Sequence, residues 1–273
     1  MTVLIIGGAG FIGFHLTEHL LSEKCQVRVL SRKPNPFYAL NPKVDYIFGD
    51  YLNESLLKTA LQGVDVVYQL VSTTTPSTSN LNIVFDVESN VVGMVRLLEL
   101  CVEASIRKVI FPSSGGTIYG IPEEVPIHES HPTDPICSYA IAKLTVEKYL
   151  RLFHHLYKLD YTILRIANPY GPGQDPSGKI GVIPRFLSQI QANEPIKIWG
   201  DGTIVRDYIY VLDVVKALYN AMQLVSEEKV FNIGSGRGTS LNELINIIKQ
   251  VTGSTFAVEY VQGRLFDTPV SVL

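Results

Sequence analysis

Two side chains in the middle of the chain have the types and the spacing for proton transfer. Tyr139 and Lys143 stand four residues apart in a segment with helical periodicity, so both side chains lie on one face of the helix. A nearby ammonium favours the phenolate and so lowers the pKa of the phenol. A tyrosine with a lowered pKa can exchange a proton with an alcohol or a ketone. Because this spacing is common and mostly structural on its own, its meaning depends on the rest of the chain.

The first residues of the chain form a second candidate functional motif. Val3 to Ile6 predict a short strand, and Gly7, Gly10 and Gly13 follow it directly, before a helical pattern. The glycines let the backbone come close to a pyrophosphate, and the N-terminus of the helix presents free N–H groups to it. A plain turn between strand and helix is the alternative, since the spacing is G-x-x-G-x-x-G. The context indicates a bound dinucleotide, and a nicotinamide that exchanges a hydride would match proton exchange at the tyrosine.

The residues after the second predicted strand bear on the type of dinucleotide. An acidic residue there would bind the 2′-hydroxyl of NAD, whereas an arginine suits the 2′-phosphate of NADP. The chain reads Leu30-Ser31-Arg32-Lys33, so we expect NAD or NADP, with Arg32 favouring NADP. A solvated basic turn is the alternative interpretation. Asp50, after the third strand, is expected either to accept a hydrogen bond from the adenine or to cap a helix near Asn53.

Strands and helices alternate through the first two thirds of the chain. The predicted strands are near-continuously apolar, as in a parallel sheet that is covered on both faces. They lie at 3–6, 27–30, 46–48, 64–70, 109–111 and 162–164, with a later sheet strand at 230–233, and helical patterns lie at 81–104 and 139–157. This order predicts an α/β fold with a doubly wound parallel sheet, a Rossmann fold. We expect a dinucleotide-binding domain at 1–170, with later returns near 203–253, and mainly a small, interleaved substrate cap at 171–273.

The composition excludes several other classes of protein. With 273 residues, 46% of them hydrophobic, the chain has the material for a folded core. Its net charge of −3, with no long basic run, argues against nucleic acid as a partner. Cys25, Cys101 and Cys137 are scattered and odd in number, as in a cytoplasmic protein with reduced thiols and without a metal site. We expect no signal peptide and no membrane span, because the apolar N-terminal residues form the first strand and no other stretch is long enough.

Further motifs occur in order along the chain, and they carry a resemblance to a known family. They are Gly-Gly-Ala-Gly-Phe-Ile-Gly (7–13), Gly49-Asp50, Asn90 in Glu-Ser-Asn-Val-Val-Gly, Pro-Ser-Ser-Gly-Gly-Thr-Ile-Tyr-Gly (112–120), Ser-Tyr-Ala-Ile-Ala-Lys (138–143), Arg-Ile-Ala-Asn-Pro-Tyr-Gly-Pro-Gly (165–173), Val-Arg-Asp-Tyr-Ile-Tyr-Val-Leu-Asp (205–213), Asn-Ile-Gly-Ser-Gly (232–236) and Arg-Leu-Phe-Asp (264–267). With this set, the chain resembles the extended short-chain dehydrogenases/reductases. Within them it is similar to the nucleotide-sugar epimerases and dehydratases typified by UDP-galactose 4-epimerase.

The resemblance implies roles for the catalytic pair and for the residues around the cofactor. Tyr139 is expected to be the catalytic base and acid, and Lys143 to hold the nicotinamide ribose and tune Tyr139. The cofactor is expected to contact both of these residues. The other expected cofactor contacts are Gly7, Gly10, Phe11, Ile12, Gly13, Ser31, Arg32, Asp50, Tyr51, Leu70, Val71, Asn90 and Ser113.

The resemblance also implies a binding site for a sugar nucleotide. Asn168 is expected to contact its phosphates, Arg206 and Arg264 to clamp its diphosphate, and Asp267 to reach its nucleoside. Two planar guanidinium groups can neutralise a diphosphate, which agrees with the implied role. For Arg206, an ion pair with Asp207 is the alternative.

The chain departs from the family pattern at several places. Where the epimerases carry a serine that binds the sugar hydroxyl, this chain has Gly115, and the hydroxyl of Ser114 or Thr117 is the expected substitute, with Thr117 preferred. Gly116 and Thr117 stand in place of the Asp-Glu pair of the dehydratases, so elimination of water is disfavoured. The loop after the fourth strand reads Gln69-Leu70-Val71-Ser72 where the family usually has His-x-Ala-Ala. The chain also ends a few dozen residues before such proteins usually do, which we expect to reflect either truncation or a reduced substrate lid.

These observations lead to three predicted functions. The leading one is NAD(P)-dependent epimerisation at C4 of a nucleotide-activated hexose, through a transient 4-keto sugar. An NADPH-dependent 4-keto reductase of a nucleotide deoxy-sugar is the alternative, favoured by Ser31-Arg32 and Gly115, and a non-catalytic NADP-binding scaffold is a minor third. We expect a homodimer, because the helices at 81–104 and 139–157 resemble those that pair across the dimer in this family. Apolar helix faces that pack against the sheet would give the same sequence pattern, and this is the alternative. The sequence does not specify the base of the nucleotide or the identity of the sugar.

Overall fold

The computed structural model describes residues 1–176, 181–263 and 268–273 of the protein. The strands are β1 (Thr2–Ile6), β2 (Gln26–Ser31), β3 (Asp45–Phe48), β4 (Val66–Gln69), β5 (Lys108–Ser114), β6 (Asp160–Ile166), β7 (Asn168–Tyr170), β8 (Ile196–Trp199), β9 (Val205–Tyr210), β10 (Val230–Ile233), β11 (Gly238–Ser240), β12 (Val258–Val261) and β13 (Val270–Ser271). The α-helices are α1 (Phe11–Ser22), α2 (Glu54–Leu61), α3 (Ile83–Asp86), α4 (Gly93–Glu103), α5 (Ser138–Tyr157), α6 (Val182–Gln191), α7 (Val211–Gln223) and α8 (Leu241–Thr252).

The largest sheet has the parallel topology that the alternating sequence predicts. In the described part of the chain it contains seven strands in the order β10-β6-β5-β4-β1-β2-β3. Every neighbouring pair in it is parallel. The structure therefore confirms a doubly wound α/β fold. The direction of winding changes between β1 and β4, which places a crevice at the carboxyl ends of these two strands.

Helices cover both faces of this sheet because successive strand residues point to opposite sides. On one face, Leu4 packs in the same buried cluster as Leu97 of α4 and Val146 of α5. On the other face, Val3 packs in a cluster with Leu16 of α1. Among the described residues, no helix is both long enough and apolar enough to cross a membrane.

The chain beyond residue 170 contributes both to this sheet and to a smaller layer. β10 forms one edge of the large sheet, and α7 packs against α1 and β6. β9 pairs with β7, β11 and β13, while β8 pairs with β12. Side chains of α6, β8 and α8 share a separate apolar cluster, which contains Phe186, Ile198 and Leu244. The C-terminal third is thus interleaved with the large sheet, and the division at residue 170 stays a prediction.

The helix expected at 81–104 is continuous from Ile83 to Glu103, but it begins two residues later than predicted and its middle is π-helical. A 3₁₀ turn at Ser79–Leu81 precedes α3, and a π-helical segment at Val87–Val92 lies between α3 and α4. The helix begins after Asn82 because the Asn82 side chain accepts a hydrogen bond from the Phe85 N–H at 3.0 Å and so caps α3. A π segment often marks a functional site, and this one carries Asn90.

Candidate active site

The turn between β1 and α1 forms a cradle of backbone N–H groups. Gly7 has a φ of +88°, and a side chain at position 13 would collide with the carbonyl oxygen of Gly7. α1 begins at Phe11 after Gly10, with no side-chain cap and no acidic residue in its first turn. The N–H groups of Phe11, Ile12 and Gly13 and the helix dipole are therefore available to an anion. This arrangement fits the pyrophosphate of a dinucleotide.

The end of β2 supports the glycine turn and leaves two cations at the surface. The buried Ser31 hydroxyl accepts a hydrogen bond from the Ala9 N–H at 3.0 Å, and the Asn35 amide donates to the Ala9 carbonyl at 2.7 Å. Ser31 thus shapes the turn itself. Arg32 and Lys33 are exposed and make no hydrogen bond or ion pair with another described residue. Both are free to meet a phosphate.

Asp50 and Tyr51 lie in the loop after β3. One Asp50 oxygen accepts from the Leu52 N–H at 3.0 Å, and the cap of α2 is Asn53, so the alternative role of Asp50 as that cap is wrong. Asp50 is exposed, which leaves its other oxygen open to a ligand. Tyr51 is buried, and its hydroxyl donates to the Ser89 carbonyl. Burial raises the pKa of Tyr51, so this tyrosine has a packing role.

Leu70 and Val71 connect β4 to the cradle. The Leu70 N–H donates to the Ile6 carbonyl at 2.9 Å, which extends the pairing of β4 with β1. Val71 lies directly against the glycine turn, since a Cβ at Gly7 would be 3.0 Å from Val71 Cγ2. A dinucleotide that leaves the cradle toward β4 would pass these two residues.

Asn90 holds the loop that follows. Its side-chain oxygen accepts from the Thr73 N–H at 3.1 Å, and its amide donates to Asp86 Oδ1 at 2.9 Å. The Thr74 hydroxyl also donates to Asp86 Oδ1. Asp86 is fully buried, and Asn90 and Thr74 are the groups that satisfy this oxygen. Asn90 therefore positions the loop, and it also lines the cavity of the catalytic pair.

Tyr139 and Lys143 lie one turn apart on α5 and face one small cavity. The Lys143 ammonium donates to the Pro112 carbonyl at 2.9 Å and lies 4.5 Å from the centre of the Phe111 ring. Its distance to the centre of the Tyr139 ring is 5.9 Å. Burial lowers the pKa of Lys143 to about 8, while the negative charge of Glu147 acts in the opposite direction.

The pKa of Tyr139 is raised to about 12, chiefly by burial. The expectation of a lowered pKa for Tyr139 is therefore wrong for the structure, because desolvation of the phenolate dominates. Ser114 opposes the shift through a hydrogen bond to the phenol. The Thr117 hydroxyl donates to Ser114 Oγ at 2.8 Å. The two candidate hydroxyls thus form one chain, with Ser114 next to Tyr139 and Thr117 behind Ser114.

Ser113, which is expected to contact the cofactor, bonds a side chain of α5. Its hydroxyl donates to Glu147 Oε1 at 2.5 Å. Glu147 also pairs with Arg165 at 2.7 Å, and both charged groups are buried. Both neighbouring serines of β5 thus contact α5, since Ser113 bonds Glu147 and Ser114 bonds Tyr139. The cofactor contact expected at Ser113 stays a prediction.

A cleft of about 990 Å³ lies between the loops of the large sheet and the C-terminal layer. Asn168 and Arg206 both line it. Arg206 donates to the carbonyls of Val205 at 2.9 Å and Thr268 at 2.7 Å, and the Asn168 amide donates to the Asp207 carbonyl at 2.9 Å. The predicted partners Arg264 and Asp267 lie outside the described residues.

Several residues of this cleft were not predicted from the sequence. They are hydroxyl, cationic and aromatic side chains, namely Thr73, Thr74, Thr75, Ser77, Thr78, Arg185, Lys197, Trp199 and Tyr208. The Ser and Thr residues of this set could have been predicted from the sequence, because a Ser/Thr-rich run directly follows the carboxyl end of a predicted parallel strand. Arg185 and Lys197 come from different elements of the C-terminal layer and carry no such signal. Among the described residues, no group of three or more acidic, His or Cys side chains is placed to hold a metal ion.

Comparison with known proteins gives the class that this fold and site define. The chain matches the NAD dependent epimerase/dehydratase family over residues 3–234. A UDP-glucose 4-epimerase of Mycolicibacterium smegmatis is 36% identical over 274 residues, which cover 98% of this chain and 88% of that protein. A dTDP-4-dehydro-6-deoxyglucose reductase of Escherichia coli is 36% identical over 255 residues, which cover 90% of this chain and 80% of that protein.

A solved structure agrees with these relatives. The crystal structure of the UDP-glucose 4-epimerase of Thermotoga maritima with UDP-glucose superposes with a TM-score of 0.94 at 37% identity. The match covers 100% of this chain and 89% of that chain. The protein therefore belongs to the NAD dependent epimerase/dehydratase family.

Proposed function

We propose that the protein is an NAD-dependent enzyme that interconverts nucleotide-activated hexoses epimeric at C4, with UDP-glucose and UDP-galactose as the expected pair. The observation that carries the proposal is the position of Tyr139, which is linked to Ser114 and Thr117 and lies beside Lys143. The uridine nucleotide is proposed because the epimerases of Mycolicibacterium smegmatis and Thermotoga maritima act on UDP-glucose.

The chain's own residues supply the proton chemistry of this reaction. Tyr139, as phenolate, accepts the proton of the C4 hydroxyl, and Ser114 stabilises the phenolate through its hydrogen bond. The Lys143 ammonium favours the same charged form while it is protonated, below its pKa of about 8. NAD bound along the glycine turn supplies the acceptor and later the donor of the C4 hydride. Tyr139 returns the proton to the sugar oxygen once the 4-keto sugar presents its other face.

The cleft is suited to the rest of the substrate. Its volume of about 990 Å³ lies at the upper end of the range for small-molecule sites and leaves room for a sugar to turn. Arg206 and Asn168 line the cleft and would bind the diphosphate, and Arg185 and Lys197 add positive charge to the same cleft. The hydroxyls of 73–78 would hydrogen-bond to the sugar.

The proposed cofactor is NAD, with NADP as a second ligand of the same site. The family is NAD dependent, which favours NAD. Arg32 is exposed and makes no hydrogen bond or ion pair with a described residue, so it could bind a 2′-phosphate. We therefore expect the site to accept both dinucleotides.

We propose a homodimer built on α3, α5 and the segment between α3 and α4. On α5, Ile141, Leu152 and Leu156 are exposed at helical spacing, and Val84 and Val92 are exposed on the preceding segment. Such a grouping on a monomer is typical of an interaction surface. Light scattering on the purified protein should give twice the mass of one chain, and Leu152→Lys should reduce it to a single chain.

We also infer a reducing compartment, the cytoplasm. Cys25, Cys101 and Cys137 are free thiols, and two of them are buried. Burial raises the pKa of Cys137, which keeps it in the unreactive thiol form. Alkylation of the denatured protein, isolated under non-reducing conditions, should label all three.

A 4-keto reductase is the second candidate function. It is supported by Arg32 and by the resemblance to the reductase of Escherichia coli. The two functions differ in how they use the cofactor. An epimerase converts UDP-glucose to an equilibrium mixture with catalytic NAD, whereas a reductase consumes one NADPH for each 4-keto sugar.

The experiment is to incubate the protein with UDP-glucose, with and without added NAD, and to separate the products by anion-exchange chromatography. We expect UDP-galactose to form without net change in absorbance at the NADH wavelength. Absence of any epimer, together with stoichiometric NADPH oxidation on a dTDP-4-keto-6-deoxy sugar, would replace the first proposal with the second.

A further inference from the structure

Gln69, the last residue of β4, has an unexplained amide. The residue is 3% exposed, and its side-chain oxygen Oε1 is buried without a hydrogen-bond partner among the described residues. A buried acceptor without a partner costs about 1–3 kcal/mol of stability, so folded proteins rarely retain one without a use for it. The position of this oxygen indicates what that use is.

Gln69 lines the cavity that contains Tyr139 and Lys143. On the same strand, Val67 packs with α4 and α5, and alternation places Gln69 on the same face. Phe111 belongs to this cavity as well, and the Lys143 ammonium lies above its ring. The unpartnered acceptor and the catalytic cation therefore share one small space.

Among the described residues, this cavity contains both hydrogen-bond donors and an acceptor that lack partners. The Lys143 ammonium has three N–H donors, and Pro112 takes one of them. The Asn90 amide is already engaged with Asp86 and the 73–74 loop. The cavity therefore offers donors from Lys143 and an acceptor from Gln69. A hydroxyl group fits both, because it accepts from an ammonium and still has its own hydrogen to donate.

We propose that Gln69 is a cofactor-positioning residue, whose side-chain carbonyl accepts a hydrogen bond from a hydroxyl of the nicotinamide ribose held by Lys143. The inference rests on the proposed function, since it requires a dinucleotide in the site. The glycine cradle and Val71 lead from the pyrophosphate position to this cavity, so the distal ribose is the part of the dinucleotide that reaches it. The glutamine does not titrate, so the acceptor persists at every pH.

The test compares Gln69→Leu with the unchanged protein by calorimetric titration with NAD⁺, ADP-ribose and ADP. ADP-ribose keeps the distal ribose without the nicotinamide, and ADP lacks both. We expect the variant to bind NAD⁺ and ADP-ribose about 10-fold more weakly and ADP equally well. Without ligand, its melting temperature should equal or exceed that of the unchanged protein, because leucine removes an unpaired polar group at similar size.

Two further variants serve as a second test and as a control. Gln69→Asn keeps the polarity but withdraws the carbonyl by one methylene, and it should show the same pattern if Gln69→Leu does not fold. Gln189→Leu is the matched control, because Gln189 also has a buried oxygen without a partner but lies on α6, away from the cavity. It should leave the affinities for all three ligands unchanged.

The outcomes separate this proposal from the proposed function. Equal affinity of the Gln69 variants for ADP-ribose, with a lower melting temperature, would overturn the positioning role and leave a purely structural one. Weaker binding of ADP along with ADP-ribose would also overturn it, because the effect would then not lie at the distal ribose. If the unchanged protein bound none of the dinucleotides, the proposed function itself would fail.

Discussion

Leu273 fills the space that a side chain at position 115 would need. A Cβ at Gly115 would lie 3.0 Å from the carbonyl oxygen of Arg165 and would collide with a methyl group of Leu273. The backbone of the same C-terminal strand is fixed on both sides, since Ile127 N–H donates to the Val272 carbonyl at 2.8 Å and Leu273 N–H donates to Asp207 at 3.3 Å. A serine at this position therefore requires the Leu273 side chain to move.

Gly115→Ser should therefore destabilise the protein by roughly 1–3 kcal/mol, because the new side chain overpacks a filled site. Urea unfolding followed by circular dichroism measures this. The cost should fall when Leu273→Ala is combined with it. Gly116→Ser is the control, because among the described residues a Cβ there would meet only Asn168, at 3.9 Å. Equal costs at positions 115 and 116 would contradict the packing account.

The chain of hydroxyls from Thr117 to Ser114 to Tyr139 predicts a graded effect on catalysis. Ser114→Ala should lower kcat/KM about 10- to 100-fold and move the rising limb of the pH profile upward, because the variant loses the bond that lowers the pKa of Tyr139. Thr117→Val should have a smaller effect in the same direction, since it acts through Ser114. A larger effect of Thr117→Val, confined to KM, would instead place Thr117 in direct contact with the sugar.

At neutral pH, the buried charge of Lys143 lowers the free energy of unfolding. Its pKa is lowered to about 8 in the folded state from an ordinary 10.5, so below pH 8 both states carry the charge and only the folded state buries it. As pH rises from 8 to 10.5, the folded protein releases the proton first, and the penalty disappears. Lys143→Met should therefore be more stable by roughly 1–3 kcal/mol at pH 7, with the gain shrinking across this window, while epimerisation is lost.

Thermal unfolding between pH 7 and 10.5 gives the measurement. Lys148→Met, at an exposed position on the same helix, serves as the comparison. A Lys143→Met protein that is less stable than the unchanged one, by an amount independent of pH, would show that the ammonium stabilises the fold.

Arg32 predicts the preference between the two dinucleotides. Arg32→Ala should weaken NADP⁺ binding about 10-fold and leave NAD⁺ binding within about 2-fold, because only NADP⁺ carries the phosphate that the guanidinium would meet. Isothermal titration with each dinucleotide is the measurement. Equal losses for both would place Arg32 against the adenosine itself, and no loss for either would leave it as a solvated surface cation.

Much of the fold is predictable from the sequence because its signals are local. Apolar strand segments such as 3–6 and 109–111, with helices between them, are enough for a doubly wound sheet. The 81–104 segment is a different case. Asn82 caps its start, and Asn90, in its π-helical middle, contacts the distant 73–74 loop; helical periodicity indicates neither feature.

The sequence predicts which residues form the site better than it predicts their pKa values and their contacts. The spacing of Tyr139 and Lys143 predicts that they are neighbours, but not that burial outweighs their mutual effect on the pKa of Tyr139. The sequence places Ser113 and Ser114 at the end of β5 without indicating that Ser113 bonds Glu147 and Ser114 bonds Tyr139. The partners Glu147 and Leu273 lie far along the chain from the residues they contact, so only the folded structure brings them together.

The most direct test of the account is to follow a deuterium label at C4 of UDP-glucose by nuclear magnetic resonance, with NAD as the only added cofactor. The account predicts UDP-galactose that keeps the deuterium at C4, no accumulation of NADH, and no product from Tyr139→Phe although that variant still binds NAD. Loss of the deuterium to solvent, or full turnover by Tyr139→Phe, would contradict it.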